Sequence, residues 1–177
     1  MRLARSVAFV GLPGAGKSTV GRAVAARLGC ACVDFDERLA VRAGQSVAEV
    51  FATQGESAFR KMELALTEEL LAEPPAVWAP GGGWLPQPAV MALVLGRVGI
   101  VHLLVSPAGA LARLEQDASI RPLLTGGEAG PVLERLWQER RAAYGRADLA
   151  LDTEELGIQQ LVDRACAFAT SGLGDAD

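Results

Sequence analysis

The chain has 177 residues, half of them hydrophobic and 21% charged, the size and make-up of one globular domain able to bury a core. A net charge of −4 and a pI near 5.1 argue against broad nucleic-acid or membrane-surface binding. No apolar run reaches the roughly 18 residues that a membrane helix needs, since VMALVLGRVGIVHLLV is broken by Arg97 and two glycines.

The N-terminus MRLARSVAFVGLPG starts basic and turns apolar, but only Ser6–Val10 precede a glycine loop and no small-x-small cleavage site follows. It reads as the first buried strand of a cytoplasmic protein. GLPGAGKS, residues 11–18, then satisfies G-x-x-x-x-G-K-[ST] between a strand and a helix, the context that a phosphate-binding P-loop requires. Glycines let successive N–H groups point into one concavity, and the helix start adds its positive dipole end. Lys17 can reach the β- and γ-phosphates of a nucleotide, and the Ser18 hydroxyl can ligate Mg²⁺. Val20, Val24 and Leu28 fall on one face of the helix, which Gly29 can terminate.

CACVDF (30–35) is the second strand-like run. In extended geometry its Asp34 and Asp36 point the same way about 7 Å apart, one toward a metal's water shell and the other toward an acceptor hydroxyl; either could instead cap the next helix. Ser46 can cap VAEVFATQ, and Phe59, Met62 and Leu66 mark the buried side of the helix that follows. Glu56, Arg60 and Glu63 share another face of it at i, i+4 and i+7, in isolation an exposed charge stripe. AVWAP (76–80) leads into Gly81-Gly82-Gly83 and Trp84, a bare-backbone turn at a strand's carboxyl end, with Gly82 and Gly83 N–H groups available as donors. VGIVHLLV (98–105) and DLALD (148–152) complete five strands alternating with helices, the pattern of an α/β parallel sheet covered on both faces.

The stretch 116–131 is the one extended segment without periodicity, and the tail SGLGDAD is expected to fray. His102 reads as a packed core residue. Cys30, Cys32 and Cys166 are odd in number and lack a metal-ligand pattern, so they read as small apolar fillers. No asparagine occurs, which excludes the N-K-x-D of guanine-binding switches, and the chain lacks the length and the apolar run ending in Asp-Glu of a motor ATPase. A small P-loop kinase remains.

GLPGAGKSTVGR, DFDERLA, GQSVAEVFATQGESAFRKME, PGGG, IRPLL and RRAAY, in this order from about residue 6 to 152, resemble the shikimate kinase family. The resemblance implies a nucleoside-monophosphate-kinase-like fold on one domain spanning 1–177, with an acceptor-binding subdomain at about 35–63 and a lid at about 114–128. It implies transfer of the γ-phosphate of ATP to the 3-hydroxyl of shikimate, with Mg²⁺. By that resemblance Gly14, Ala15, Gly16, Lys17, Ser18 and Thr19 hold the phosphates, with Arg113 near the base, and Asp34 supports Mg²⁺ with Ser18. Asp36 binds the acceptor hydroxyls and takes the proton. Arg60 and Arg140 pair with the carboxylate, Glu63 orients Arg60, Phe51 and Phe59 wall the ring, Gly81–Gly83 line the pocket, and Arg121 closes over the transferring phosphate.

The chain departs from the family at Trp84, where a small residue is usual, at Leu114, near the place of an adenine-stacking arginine, and at DTEELGIQQL, which lacks an Arg-Asn-Pro-like stretch. Two other readings stay open: a kinase of this fold for another small hydroxy acid or polyol such as gluconate, with Trp84 reshaping the pocket, and a non-catalytic nucleotide-binding module. A small-molecule partner and a monomer are expected, with no nucleic acid and no membrane.

Overall fold

The structure, a computed structural model, describes residues 3–116 and 129–171. Five strands, β1 (Val7–Val10), β2 (Cys32–Asp34), β3 (Val77–Ala79), β4 (Gly99–Leu104) and β5 (Leu149–Asp152), form one sheet in the order β2-β3-β1-β4-β5. Every pairing is parallel, with Val7 opposite both Val77 and Gly99, and Asp34 opposite Ala79. β1 and β3 are buried along their whole length, as strands covered on both faces must be. All five strand-like runs of the sequence are therefore strands.

Among the described residues, seven helices cover the sheet: α1 (Lys17–Leu28), α2 (Phe35–Ala43), α3 (Val47–Leu70), α4 (Pro88–Val94), α5 (Pro107–Gln116), α6 (Ala129–Tyr144) and α7 (Ile158–Thr170). α1 packs on β3 and α7, α2 on α3, and α5 on α6. Gly29 ends α1 in the left-handed region (φ 66°), its N–H bonded to the carbonyls of Ala25 and Ala26. Ser46 and Glu49 form a reciprocal capping box at the start of α3, which kinks at Gly55 (φ 79°, ψ 169°). Among the described residues, no helix is long and apolar enough to cross a membrane.

Two expectations are corrected. The segment after β2 is not extended: Asp34 Oδ1 accepts from the N–H groups of Asp36 (3.1 Å) and Glu37 (3.4 Å), so Asp34 is the cap and Asp36 lies in the first turn of α2. The capping option wins because the N–H groups of the first turn need an acceptor and the Asp34 carboxylate stands within reach. The aperiodic stretch 116–131 is also shorter than expected at both ends, as Gln116 closes α5 and Ala129 opens α6. Pro131 fits there because the first turn makes no use of its missing N–H.

The core is aromatic under the acceptor side. Trp84 is fully buried, edge-on to Phe35 (5.7 Å) and Trp78 (6.4 Å), and its Nε1–H donates to Thr67 Oγ1 at 2.8 Å. The bulky residue at the family's small position is thus a core residue, pointing away from the cleft. His102 is buried too, packed against Tyr144 (4.8 Å) and Trp137 (6.2 Å). Burial, aided by the charge of Lys17, pushes its pKa down to about 4, so it is a neutral filler at ordinary pH. Cys166 is buried and Cys30 and Cys32 are half-buried, all three as free thiols whose pKa values burial raises.

Candidate active site

The loop between β1 and α1 turns at the carboxyl edge of the sheet's central strand. Gly14 (φ 79°) and Gly16 (φ 88°) take conformations that L side chains avoid, and a β-carbon on Gly14 would stand 2.9 Å from the Ala110 carbonyl oxygen. Gly16 is also the N-cap of α1 and has no capping side chain, and no acidic residue occupies the first turn. At this helix start, neither a capping side chain nor an acid competes with an external anion for the positive dipole end. Lys17 Nζ lies across the loop and donates to the carbonyls of Gly11 (3.1 Å) and Leu12 (3.0 Å). Ser18 Oγ donates to Asp34 Oδ2 at 2.7 Å, and Arg22 faces the same oxygen at 3.5 Å. Thr19 lines the cleft, whereas Ala15 is buried and gives the loop its shape, its N–H donating to Leu12 O at 3.2 Å.

Arg113 closes the end of the cleft beside the P-loop. Its guanidinium donates to Thr153 Oγ1 (2.8 Å) and Thr153 O (2.6 Å), and more weakly to Gly14 O (3.5 Å). The side chain therefore ties α5 to the P-loop and to the residue after β5. Leu114 stands beside Gly14 and also lines the cleft. The cleft has a volume of about 1030 Å³ and runs from Arg113 past Lys17 and Ser18 to Asp36, Phe51 and Gly81.

At the other end, the glycine run admits side chains from three helices. A β-carbon on Gly81 would lie 3.2 Å from Glu63 Oε1 and 3.7 Å from Asp36 Oδ1. One on Gly82 would lie 2.8 Å from Arg140 Nη1 and 3.0 Å from Gly11 O, and one on Gly83 would overlap the Arg60 guanidinium. The Tyr144 hydroxyl donates to Gly82 O at 2.7 Å, and burial pushes its pKa up to about 12, which keeps it a donor. Arg60 donates from Nη1 to Glu63 Oε2 (2.6 Å) and from Nη2 and Nε to Glu56 Oε1 (2.8 and 3.2 Å). Burial opposes the charge on Arg60, but the two carboxylates outweigh it and raise its pKa. Phe51 lines the cleft and Phe59, buried behind it, packs on its ring at 4.8 Å.

The charge stripe is thus not all exposed: Glu63 is 0% exposed while Glu56 is 66% exposed. Glu63 is covered because it lies against the glycine run, with its Oε1 3.2 Å from where a β-carbon on Gly81 would stand. Burial, with Asp36 nearby, pushes the Glu63 carboxyl up to about 7 against the opposing pull of Arg60.

The family profile described as shikimate kinase matches residues 13–169. The shikimate kinase of Mycobacterium tuberculosis (strain ATCC 25177 / H37Ra) is 37% identical over 152 residues, 85% of each chain. The chain belongs to the shikimate kinase family. A solved shikimate kinase from Acinetobacter baumannii in complex with shikimate superposes with a TM-score of 0.84 at 29% identity, covering 91% of this chain and 90% of that one. A gluconokinase from Sinorhizobium meliloti 1021 shares the fold at a TM-score of 0.64 and 18% identity.

Of the expected residues, Ala15 and Phe59 are buried behind the cleft, the others line it or meet at Gly81–Gly83, and Arg121, expected on the lid, lies outside the described residues. The structure also adds residues that the sequence reading passed over. Gln87 Nε2 donates to Glu63 Oε2 (2.8 Å), Thr67 bridges Trp84 to the Glu63 carbonyl, and Thr153 anchors Arg113. Gln87 carried one signal, a residue of poor capping propensity placed directly before the helix-opening Pro88.

Proposed function

We infer that this chain is a phosphotransferase that moves the γ-phosphoryl group of ATP to the 3-hydroxyl of shikimate, giving shikimate 3-phosphate. The observation that carries the reading is the meeting of Arg60, Glu63, Asp36 and Arg140 at Gly81–Gly83, beside the P-loop. A small anionic polyol needs guanidinium groups for its carboxylate and a carboxylate for its hydroxyls. In this reading Arg60 and Arg140 hold the acceptor carboxylate, with Phe51 against the ring. Asp36 accepts the hydroxyl proton as that oxygen bonds to the γ-phosphorus and the bond to the β-phosphate oxygen breaks, releasing ADP. Gly14–Thr19 hold the phosphates, Lys17 offsets their charge, Arg113 flanks the base, and Arg121 closes over the transferring group. Exclusion of water by a lid at about 114–128 would suppress ATP hydrolysis.

The residues also suit Mg²⁺. One hydroxyl and one carboxylate, Ser18 Oγ and Asp34 Oδ2, lie 2.7 Å apart beside the phosphate loop, a sparse oxygen set of the kind that Mg²⁺ completes with water and phosphate oxygens. Bound there, the ion would neutralise charge on the phosphates. The one-domain organisation with an acceptor subdomain at about 35–63, the monomeric state, the cytoplasmic location and the lack of nucleic-acid or membrane partners belong to the same proposal. Burial of Trp84 supports shikimate over a reshaped acceptor pocket.

ADP release measured with shikimate, quinate, gluconate and nucleoside monophosphates tests it. Turnover is expected with shikimate. Turnover with gluconate but not shikimate would overturn the acceptor, and ATP binding without turnover on any of them would leave a binding module.

A further inference from the structure

The residue that opens α4 breaks a local rule. Gln87 occupies the N-cap, where Ser, Thr, Asp or Asn would accept from the first turn, and it makes no such bond. Its side chain turns inward instead. Nε2 donates to Glu63 Oε2 at 2.8 Å and lies 3.3 Å from Gly83 O. Both neighbours are acceptors, so the amide nitrogen belongs on that side. A forgone cap beside a substrate pocket is the kind of local conflict that marks function.

The contact matters because of what Glu63 lacks. It is 0% exposed, and its Oε1 is buried with no hydrogen-bond partner among the described residues. All its anchoring is on Oε2, shared between Arg60 Nη1 and Gln87. Behind it, Trp84 Nε1–H donates to Thr67 Oγ1, whose hydroxyl donates to the Glu63 carbonyl at 2.7 Å, so the backbone is held from the core side. Gln87 completes the hold on the side chain.

We propose that Gln87 is a positioning residue for the acceptor: by bracing Glu63 against Gly83, it fixes the Arg60 guanidinium that receives the acceptor's carboxylate. This rests on the function proposed above. Gln87 acts through Glu63 and Arg60, away from the reacting hydroxyl, so it governs acceptor binding and not the transfer step. Its donor also favours the ionised form of Glu63. The charged groups facing that carboxyl are Arg60 on α3 and Asp36 on α2, with Glu56 and Arg140 beyond them.

Gln87→Ser separates this role from a structural one, because serine is the better cap yet too short to reach Glu63. The variant should melt within a few degrees of the parent, because the gained cap offsets much of the lost bond. Its KM for shikimate should rise about tenfold, the loss of one hydrogen bond to a charged group, with kcat and the KM for ATP nearly unchanged. The acid limb of kcat/KM for shikimate should move up by about one pH unit, and the ¹³C titration of the Glu63 carboxyl, assigned by its loss in Glu63→Gln, should move with it. Gln87→Met, which fills the space without a donor, should behave alike if the serine variant folds poorly. An unchanged shikimate KM, an unmoved Glu63 titration, or parallel losses in Tm, kcat and both KM values would overturn the proposal. Should the parent not phosphorylate shikimate, the functional reading falls, and the ¹³C titration alone still judges the brace.

Discussion

A β-carbon at position 83 would enter space that the Arg60 guanidinium fills, whereas one at position 82 would meet the end of Arg140 at 2.8 Å and also backbone, at 3.0 Å from Gly11 O. The two alanine variants should therefore fail differently. In Gly83→Ala the end of a flexible side chain can swing aside, so Tm should hold within a few degrees while the KM for shikimate rises tenfold or more. In Gly82→Ala the P-loop itself is pushed, so Tm and the KM for ATP should suffer as well. Thermal melts with two-substrate kinetics check both, and equal behaviour of the two would contradict the contacts. At this scale the sequence is most legible where a motif dictates backbone, as at Gly14, Gly16, Lys17 and Ser18. It is least legible where burial is decided by distant chain. Glu56 and Glu63 are the same residue type on one stripe, yet one is exposed and the other sealed beneath the glycine run; nothing in i, i+4, i+7 spacing tells them apart.

The start of α2 shows one residue serving an element and a site at once. Asp34 caps the helix through Oδ1 and receives Ser18 through Oδ2. Asp34→Ser should keep most of the cap and lose the carboxylate. The expected outcome is a change in stability within about 1 kcal/mol by urea unfolding and a turnover lowered by at least tenfold, with a raised Mg²⁺ requirement. A variant with full turnover at low Mg²⁺ would remove Asp34 from the metal site. Strands, and the helix ends marked by Gly29 and Ser46, were readable because apolar runs and caps are local. The helical placement of Asp36 was not, since an aspartate after a strand extends or caps according to which N–H groups lie within reach. Trp84 was ambiguous for a similar reason: its partners Phe35, Trp78 and Thr67 come from three other parts of the chain.

Across the whole molecule, the order β2-β3-β1-β4-β5 sets the two loops that matter on neighbouring strands, so β1 delivers the P-loop beside the glycine run that follows β3. The alternating pattern of strands and helices implied a parallel sheet but not its strand order, in which β3 stands between β2 and β1; the buried carboxylate beside this junction has a global consequence. Glu63 has its pKa pushed up from 4.5 to about 7, so the folded chain keeps this proton over an interval in which the unfolded chain has released it. More protons bound in the folded state mean that this group's contribution to stability falls as pH rises through that interval and levels off above about 7. Glu63→Gln should remove the slope. Urea unfolding at about pH 5 and pH 8 should show the parent losing up to about 3 kcal/mol relative to the variant, and a constant difference between them would refute the assignment.

The grip of Glu56 on the outer edge of Arg60 gives the site a resident competitor. Tethered one helical turn away, that carboxylate acts at an effective concentration in the millimolar range or above. A free monocarboxylate offering nothing else would have to reach such concentrations to displace it. In the proposed reading, a ring that also engaged Asp36 and the Gly81–Gly83 backbone would bring further contacts that Glu56 cannot match, so discrimination would begin with an exchange of partners at Arg60 before any phosphate moves.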